Sequence, residues 1–104
     1  MPVNLELISR CALADSFEIA RHANRERLEE GISYWDMVDV LCSAELLEDY
    51  PDDPRGHSCL LLGFAQERAV HVVCGLRNPQ RPVIITVYCP TLPKWMDERR
   101  RGDG

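Results

Sequence analysis

From residue 45 onward the apolar residues of this chain change their period. Before that point they recur at helical spacing; beyond it they fall at alternate positions, in runs rich in valine and isoleucine. A chain that is helical in its first half and alternating in its second is expected to lay helices on a sheet. "ELLEDY", "SCLLLGFA", "AVHVVCGL" and "PVIITVYC" read as four strands. "QER" joins the second to the third and "RNPQR" the third to the fourth, connections short enough for hairpins. "PDDPRGH" is a loop, with two prolines and a glycine. The expected fold is α+β: N-terminal helices packed on a four-stranded antiparallel meander, in two layers. This single domain covers residues 1–96, and residues 97–104, "DERRRGDG", form a solvated basic tail.

The helical half carries its own punctuation. Asn4 can cap a first helix with Leu5, Ile8 and Ala12 at helical spacing. "ADS" interrupts it, and "FEI" is either a short extended piece or the start of a second helix. Residues 20–30 favour helix, with Gly31 placed to end it in the left-handed conformation. Ser33 followed by Asp36 resembles a capping box. The helix after it sets Tyr34, Met37, Val38 and Leu41 on one face.

With 104 residues the chain has room for one compact domain. No apolar run approaches the roughly 18 residues a membrane helix needs. The first residues, "MPVNLELISRCALAD", carry acids and lack a basic region followed by an apolar core, which argues against a signal peptide. Five cysteines form no CxxC pair, and most sit in apolar segments as small hydrophobes. A cytoplasmic, reduced protein without a structural zinc site is the expectation. The net charge of −5 is unevenly spread: residues 1–54 hold 13 acids and 4 bases, residues 55–104 hold 4 acids and 8 bases. Overall acidity counts against strong non-specific nucleic-acid binding, although the second half can face a polyanion.

His71 is the polar residue that stands out, in the apolar run of the third strand. Alternation puts His71, Val73 and Gly75 on one face of that strand, and Ile84, Thr86 and Tyr88 on one face of the next. If the hairpin pairs Arg77 with Pro82, His71 falls opposite Tyr88 and Val73 opposite Thr86. His71, Tyr88 and Thr86 then form one polar cluster, which a one-residue slip would destroy. The cluster reads either as a working site or as a buried histidine satisfied by a tyrosine hydroxyl or a backbone carbonyl. His22, with Arg21 and Arg25, lines a second edge on a helix, or simply a solvated face. His22, His57 and His71 are too far apart in sequence for ligand-type spacing, so no metal or other cofactor is expected. "EDYPDDP" lacks the spacing of a calcium loop and reads as a solvated loop or a contact to a basic partner. "RRR" at 99–101 serves solubility or touches a phosphate backbone.

"LLEDYPDDP", "LLLG", "HVVCG" and "IITVYCPTLPKW", preceded by "HANRERLEEGIS", together carry a resemblance. The chain resembles a bacterial family of domains of unknown function, often encoded beside a zinc-finger antitoxin of the MqsA type. That family looks like the RelE/BrnT-type toxins. The resemblance covers roughly residues 17–96. It implies a RelE-like two-layer fold and a metal-independent endoribonuclease toxin, held in check by a cognate antitoxin protein. Such cleavage needs a base for the 2′-hydroxyl, a donor for the phosphorane and an acid for the leaving oxygen. The resemblance implies His22 and His71 as acid and base, Arg25 or Arg27 on the phosphate, and Tyr88 and Thr86 as hydrogen-bond donors. RNA and the antitoxin are the implied partners, without a membrane, and a homodimer is open through a free sheet edge.

The chain departs from the family pattern S-x-H-a-x-x-R-m-x-x-R-g-I. Ala20 stands for the serine, and Glu26 and Glu30 fall where arginines belong. Arg27 and Leu28 look like the R-m pair displaced by one residue, about 100° around a helix. An acid beside a phosphate site repels substrate, so the alternative expectation is a catalytically inactive, RelE-like protein-binding module. Two placements separate the readings. Arg25 or Arg27 sharing a surface with His71 and Tyr88 favours the enzyme; Glu26 and Glu30 lining that surface favours the binding module.

Overall fold

The computed structural model describes residues 2–91 and 94–102. Three helices, α1 (Leu5–Leu13), α2 (Arg21–Glu29) and α3 (Tyr34–Cys42), precede most of the sheet. The strands are β1 (Glu18–Ile19), β2 (Glu45–Tyr50), β3 (Ser58–Ala65), β4 (Arg68–Gly75) and β5 (Val83–Tyr88). The α+β class is as expected, but the sheet has five strands in the order β1-β5-β4-β3-β2. The expected purely antiparallel meander is therefore corrected. β1 pairs parallel to β5, with Glu18 beside Val83 and Ile19 beside Ile84, so the sheet is mixed. "FEI" takes its extended option because its backbone ties onto the edge of β5: Glu18 N–H donates to Pro82 and Ala20 N–H to Ile84, both at 2.9 Å.

Local chemistry accounts for the helix limits. The Asn4 side chain accepts from the Leu7 amide at 3.0 Å. Ser33 and Asp36 form the expected reciprocal capping box. α2 ends in a Schellman motif: Gly31, at φ +72°, lets its own N–H reach the Leu28 carbonyl while Ile32 N–H reaches Arg27. The two-residue turn between β3 and β4 is less well matched to its sequence. Gln66 and Glu67 both hold positive φ, at 49° and 70°, with Ala65 paired to Arg68. Such a turn favours Asn-Gly, since a side chain in the left-handed region costs ~1–2 kcal/mol. Gln66 is retained by a 3.1 Å hydrogen bond to Asp36, whereas Glu67 is exposed. Glu67→Gly is therefore expected to raise stability by ~0.5–1 kcal/mol, after its greater unfolded-state freedom is subtracted. Urea unfolding monitored by circular dichroism checks this; a loss of stability would contradict the turn geometry.

The core lies between the helices and one face of the sheet. Ile8, Ala23, Met37 and Leu41 from the helices meet Leu61, Val70, Val72, Ile84 and Val87 from the strands. The opposite face carries Glu45, Glu48 and Tyr50 of β2, Leu60 and Leu62 of β3, His71 and Val73 of β4, and Thr86 and Tyr88 of β5. Leu60 and Leu62 are also buried, so this second face is covered too. Its cover is the segment from Lys94 to Gly102. This segment closes on itself through a Trp95–Arg101 bridge and a Gly102 N–H to Lys94 carbonyl bond of 2.9 Å. Residues 97–102 thus lie back on the sheet as a strap, although their arginines keep solvent contact. Residues 103 and 104 of the expected tail lie outside the described residues.

Candidate functional site

The register sets the site. β4 and β5 pair His71 with Tyr88 and Val73 with Thr86, the pairing expected of the hairpin. It is reached by another route, however. Nearer the turn, Gly75 pairs with Val83 and Cys74 with Ile84, a register one residue different. A bulge between Val73 and Cys74 absorbs Ile85 and restores the His71–Tyr88 pairing. The bulge also corrects the expected face of Ile84, which turns into the core with Val87 and away from Thr86 and Tyr88.

His71 has no solvent exposure, and both its ring nitrogens are engaged. Nε2 lies 2.7 Å from the Glu98 carbonyl oxygen. A carbonyl only accepts, so Nε2 carries the proton and Nδ1 of the neutral ring is an acceptor. Tyr88 O–H donates to Nδ1 at 3.1 Å, and the Tyr88 oxygen accepts from Trp95 Nε1–H at 3.1 Å. The Trp95 ring stands edge-on to the imidazole, with centroids 4.4 Å apart, and is itself 2 % exposed. The Trp95, Tyr88 and His71 donors of this network each have an acceptor. Burial pushes the His71 pKa below its ordinary value, outweighing the upward pull of the Glu98 carbonyl bond and of the Glu48 charge. Burial likewise raises the Tyr88 hydroxyl. The network is neutral, and in this closed arrangement His71 can exchange no proton with a substrate, while the half-buried Tyr88 commits its O–H to His71. Thr86 shares the sheet face, half-buried, but no hydrogen bond joins its hydroxyl to His71 or Tyr88.

The α2 candidates lie elsewhere. Ala23 anchors α2 in the core with Ile84 and Val87, on the sheet face opposite His71. His22 points outward, with its side chain 66 % exposed and paired to Glu26 at 3.2 Å. Arg25 is exposed on the same helix. Arg27 has a structural post: Nε donates to Asn24 at 2.9 Å and a terminal nitrogen to the Ile32 carbonyl at 3.0 Å, fastening the α2–α3 turn. The structure does not bring His22, Arg25 or Arg27 to His71 and Tyr88. Glu26 accepts from the Val87 amide of β5 at 3.0 Å, closing an edge position that β1 is too short to cover. Glu30 lies closer to the strap: with Tyr88 and Lys94 it lines a cavity of about 280 Å³. That cavity adjoins a shallower one of about 660 Å³, with Cys89, Thr91 and Trp95 common to both. Arg68 in the larger cavity is bound by Glu30 and by the Cys89 sulfur. Lys94 Nζ lies 5.5 Å from the centre of the Tyr88 ring.

The strap residues are what sequence reasoning missed. Arg99 meets Glu45 at 2.6 Å, and Arg101 makes a two-point contact with Glu48 at 2.7 and 2.8 Å. The Arg101 guanidinium also lies 4.7 Å over the Trp95 ring. Arg101, backed by the Tyr50 hydroxyl, holds the Glu48 carboxyl down at about 2. Burial, with Glu48 beside it, raises Tyr50 to about 12. A signal existed in the pairing of two acids in β2 with two arginines at 99 and 101. Plain alternation hides it, because it puts Glu45 and Glu48 on opposite faces; the irregularity between Leu46 and Glu48 brings them together.

A family model described as Domain of unknown function (DUF4258) matches residues 19–89, from β1 to just past β5, and the strap lies beyond that span. No curated protein and no solved structure matches the chain.

Proposed function

We propose, for a chain that belongs to the DUF4258 family of domains of unknown function, a protein-binding role without catalysis. In this reading it is the partner-binding half of a toxin–antitoxin-type pair on a RelE-like scaffold, without ribonuclease activity. The observation that carries it is the state of His71: fully buried, neutral and engaged at both nitrogens. A general acid or base needs one nitrogen within reach of substrate. One of the two acids, Glu30 and not Glu26, adds to this. Glu30, standing where the resemblance leads one to expect an arginine, lines the cavity beside Tyr88, and no α2 arginine joins it. All five cysteines are free, which supports placing this activity in the reducing cytoplasm, and among the described residues no helix is long and apolar enough to cross a membrane.

Expression of the chain alone is expected to leave growth unchanged, and purified protein is expected to leave RNA intact. Growth arrest by the wild type, or RNA cleavage lost in Tyr88→Phe, would overturn the reading. One observation favours the runner-up, a metal-independent endoribonuclease: Lys94 lies over the Tyr88 ring, so a cation and a hydroxyl donor share one cavity. In that reading the strap must lift before His71 can act.

A further inference from the structure

We propose that the sheet face bearing His71 is a docking groove for a turn-forming, basic, aromatic-anchored segment of a protein partner, which residues 94–102 occupy as an exchangeable stand-in. This rests on the protein-binding reading and names the partner's chemistry.

The groove's demands can be read from what fills it. One aromatic ring is needed, to stand against His71 and donate a hydrogen bond to Tyr88, as Trp95 does. Two cations are needed on one rail, to meet Glu45 and Glu48, as Arg99 and Arg101 do. The cations follow the ring by four and six residues. The strap meets these demands almost wholly through side chains. Its own amides bond within the segment and its immediate approach: Trp95 to Thr91, Met96 and Asp97 to Arg100, Gly102 to Lys94. Among the described residues no backbone-to-backbone hydrogen bond joins it to the sheet, and the Glu98 carbonyl is the one main-chain group the sheet contacts through a side chain. A segment held in this way is replaced by any other that presents the same ring and cations.

The holding energy is also modest. Trp95 is buried, but Met96 is 52 % exposed, and the two arginines are about half exposed. Exposed ion pairs contribute little each, because solvent screens them. Local opening of such a segment lies well below the cost of global unfolding. Charge decides the occupant. With the strap away, Glu45 and Glu48 stand uncompensated on the rim, which repels a nucleic-acid backbone and attracts a basic peptide.

The test uses a fluorescently labelled peptide of residues 94–102, KWMDERRRG, added to the full-length chain. In the wild type the tethered strap competes at high effective concentration. Trp95→Ala removes the ring and frees the groove. Anisotropy is expected to show at least tenfold tighter binding to Trp95→Ala than to wild type. A peptide with alanine in place of its tryptophan, or with both matching arginines made glutamate, is expected to lose it. Equal, weak binding to the wild type and to a Trp95→Ala chain that retains its circular dichroism would overturn the proposal. Should that variant fail to fold, Arg99→Glu with Arg101→Glu opens the strap by repulsion and leaves the buried side chains intact; the same two outcomes then decide. RNA cleavage with peptide binding would remove the non-catalytic reading and leave the groove; neither cleavage nor binding would do the reverse.

Discussion

Gly63→Ala is expected to cost at least ~3 kcal/mol, beyond the usual ~1–3 kcal/mol of an overpacked core position. A Cβ on Gly63 would stand 2.1 Å from the Val40 carbonyl oxygen and 2.7 Å from its carbon. Those are backbone atoms of α3, so no rotamer change relieves the clash. Nor is α3 free to shift. Its start is fixed by the Ser33–Asp36 box, and just past its end the Ser43 hydroxyl donates to the Asp39 carbonyl at 2.8 Å. That same hydroxyl accepts from the Phe64 amide, next to Gly63, at 2.9 Å. Helix and strand are locked together at the one point where a methyl group must enter. Domains of this size have ~5–15 kcal/mol in total, so the loss is a large share. Thermal unfolding is expected to fall by more than ~12 °C, at ~4–8 °C per kcal/mol. A change below 1 kcal/mol would mean that α3 and β3 do not approach as described.

Gly63 also shows what was legible. It ends the "LLLG" run, where its type carries a packing reason invisible to periodicity, because the atom it avoids belongs to a helix more than twenty residues earlier. Local chemistry was readable: Asn4, Ser33 with Asp36, and Gly31 all act where their types place them. Four strands were readable too, since alternation constrains them, whereas the pairing of His71 with Tyr88 agrees with expectation only because the bulge at Ile85 offsets a one-residue difference nearer the turn. Irregularities were not. The bulge at Ile85 and the slip after Leu46 each move a residue across the sheet, and a single sequence has no period that announces them. β1 is two residues long, below any pattern length. The strap has no periodicity at all. Its place depends on Trp95 and two arginines meeting partners 7 to 54 residues earlier in the chain.

Replacing His71 is expected to produce the second large effect, and the pH profile separates its causes. His71→Ala removes a buried ring and strips Tyr88 and Glu98 of a partner each. A cavity and two weakened polar groups together are expected to cost ~3 kcal/mol. His71→Gln keeps polarity and is expected to cost less. In the wild type, burial depresses the His71 pKa, aided by the Arg101 charge and opposed by the Glu98 carbonyl bond and the Glu48 and Glu98 charges. The unfolded chain, with an ordinary value of about 6.5, takes up the proton first. Stability is therefore full above about pH 6.5 and is lost as pH falls through the depressed folded value. Carboxylates held low, such as Glu48 at about 2, lose their contribution only below the ordinary carboxylate range of about 4, so pH 5–6.5 isolates the histidines, and the comparison with His71→Gln separates His71 from His22 and His57. Urea unfolding at pH 7, 6 and 5 is expected to show a decline in the wild type that His71→Gln lacks. An identical decline in both would place the titrating group elsewhere. A rise in stability toward pH 5 that the wild type shows and His71→Gln lacks would mean that His71 is preferentially protonated in the folded chain, as a working acid would be, and would return the ribonuclease reading to first place.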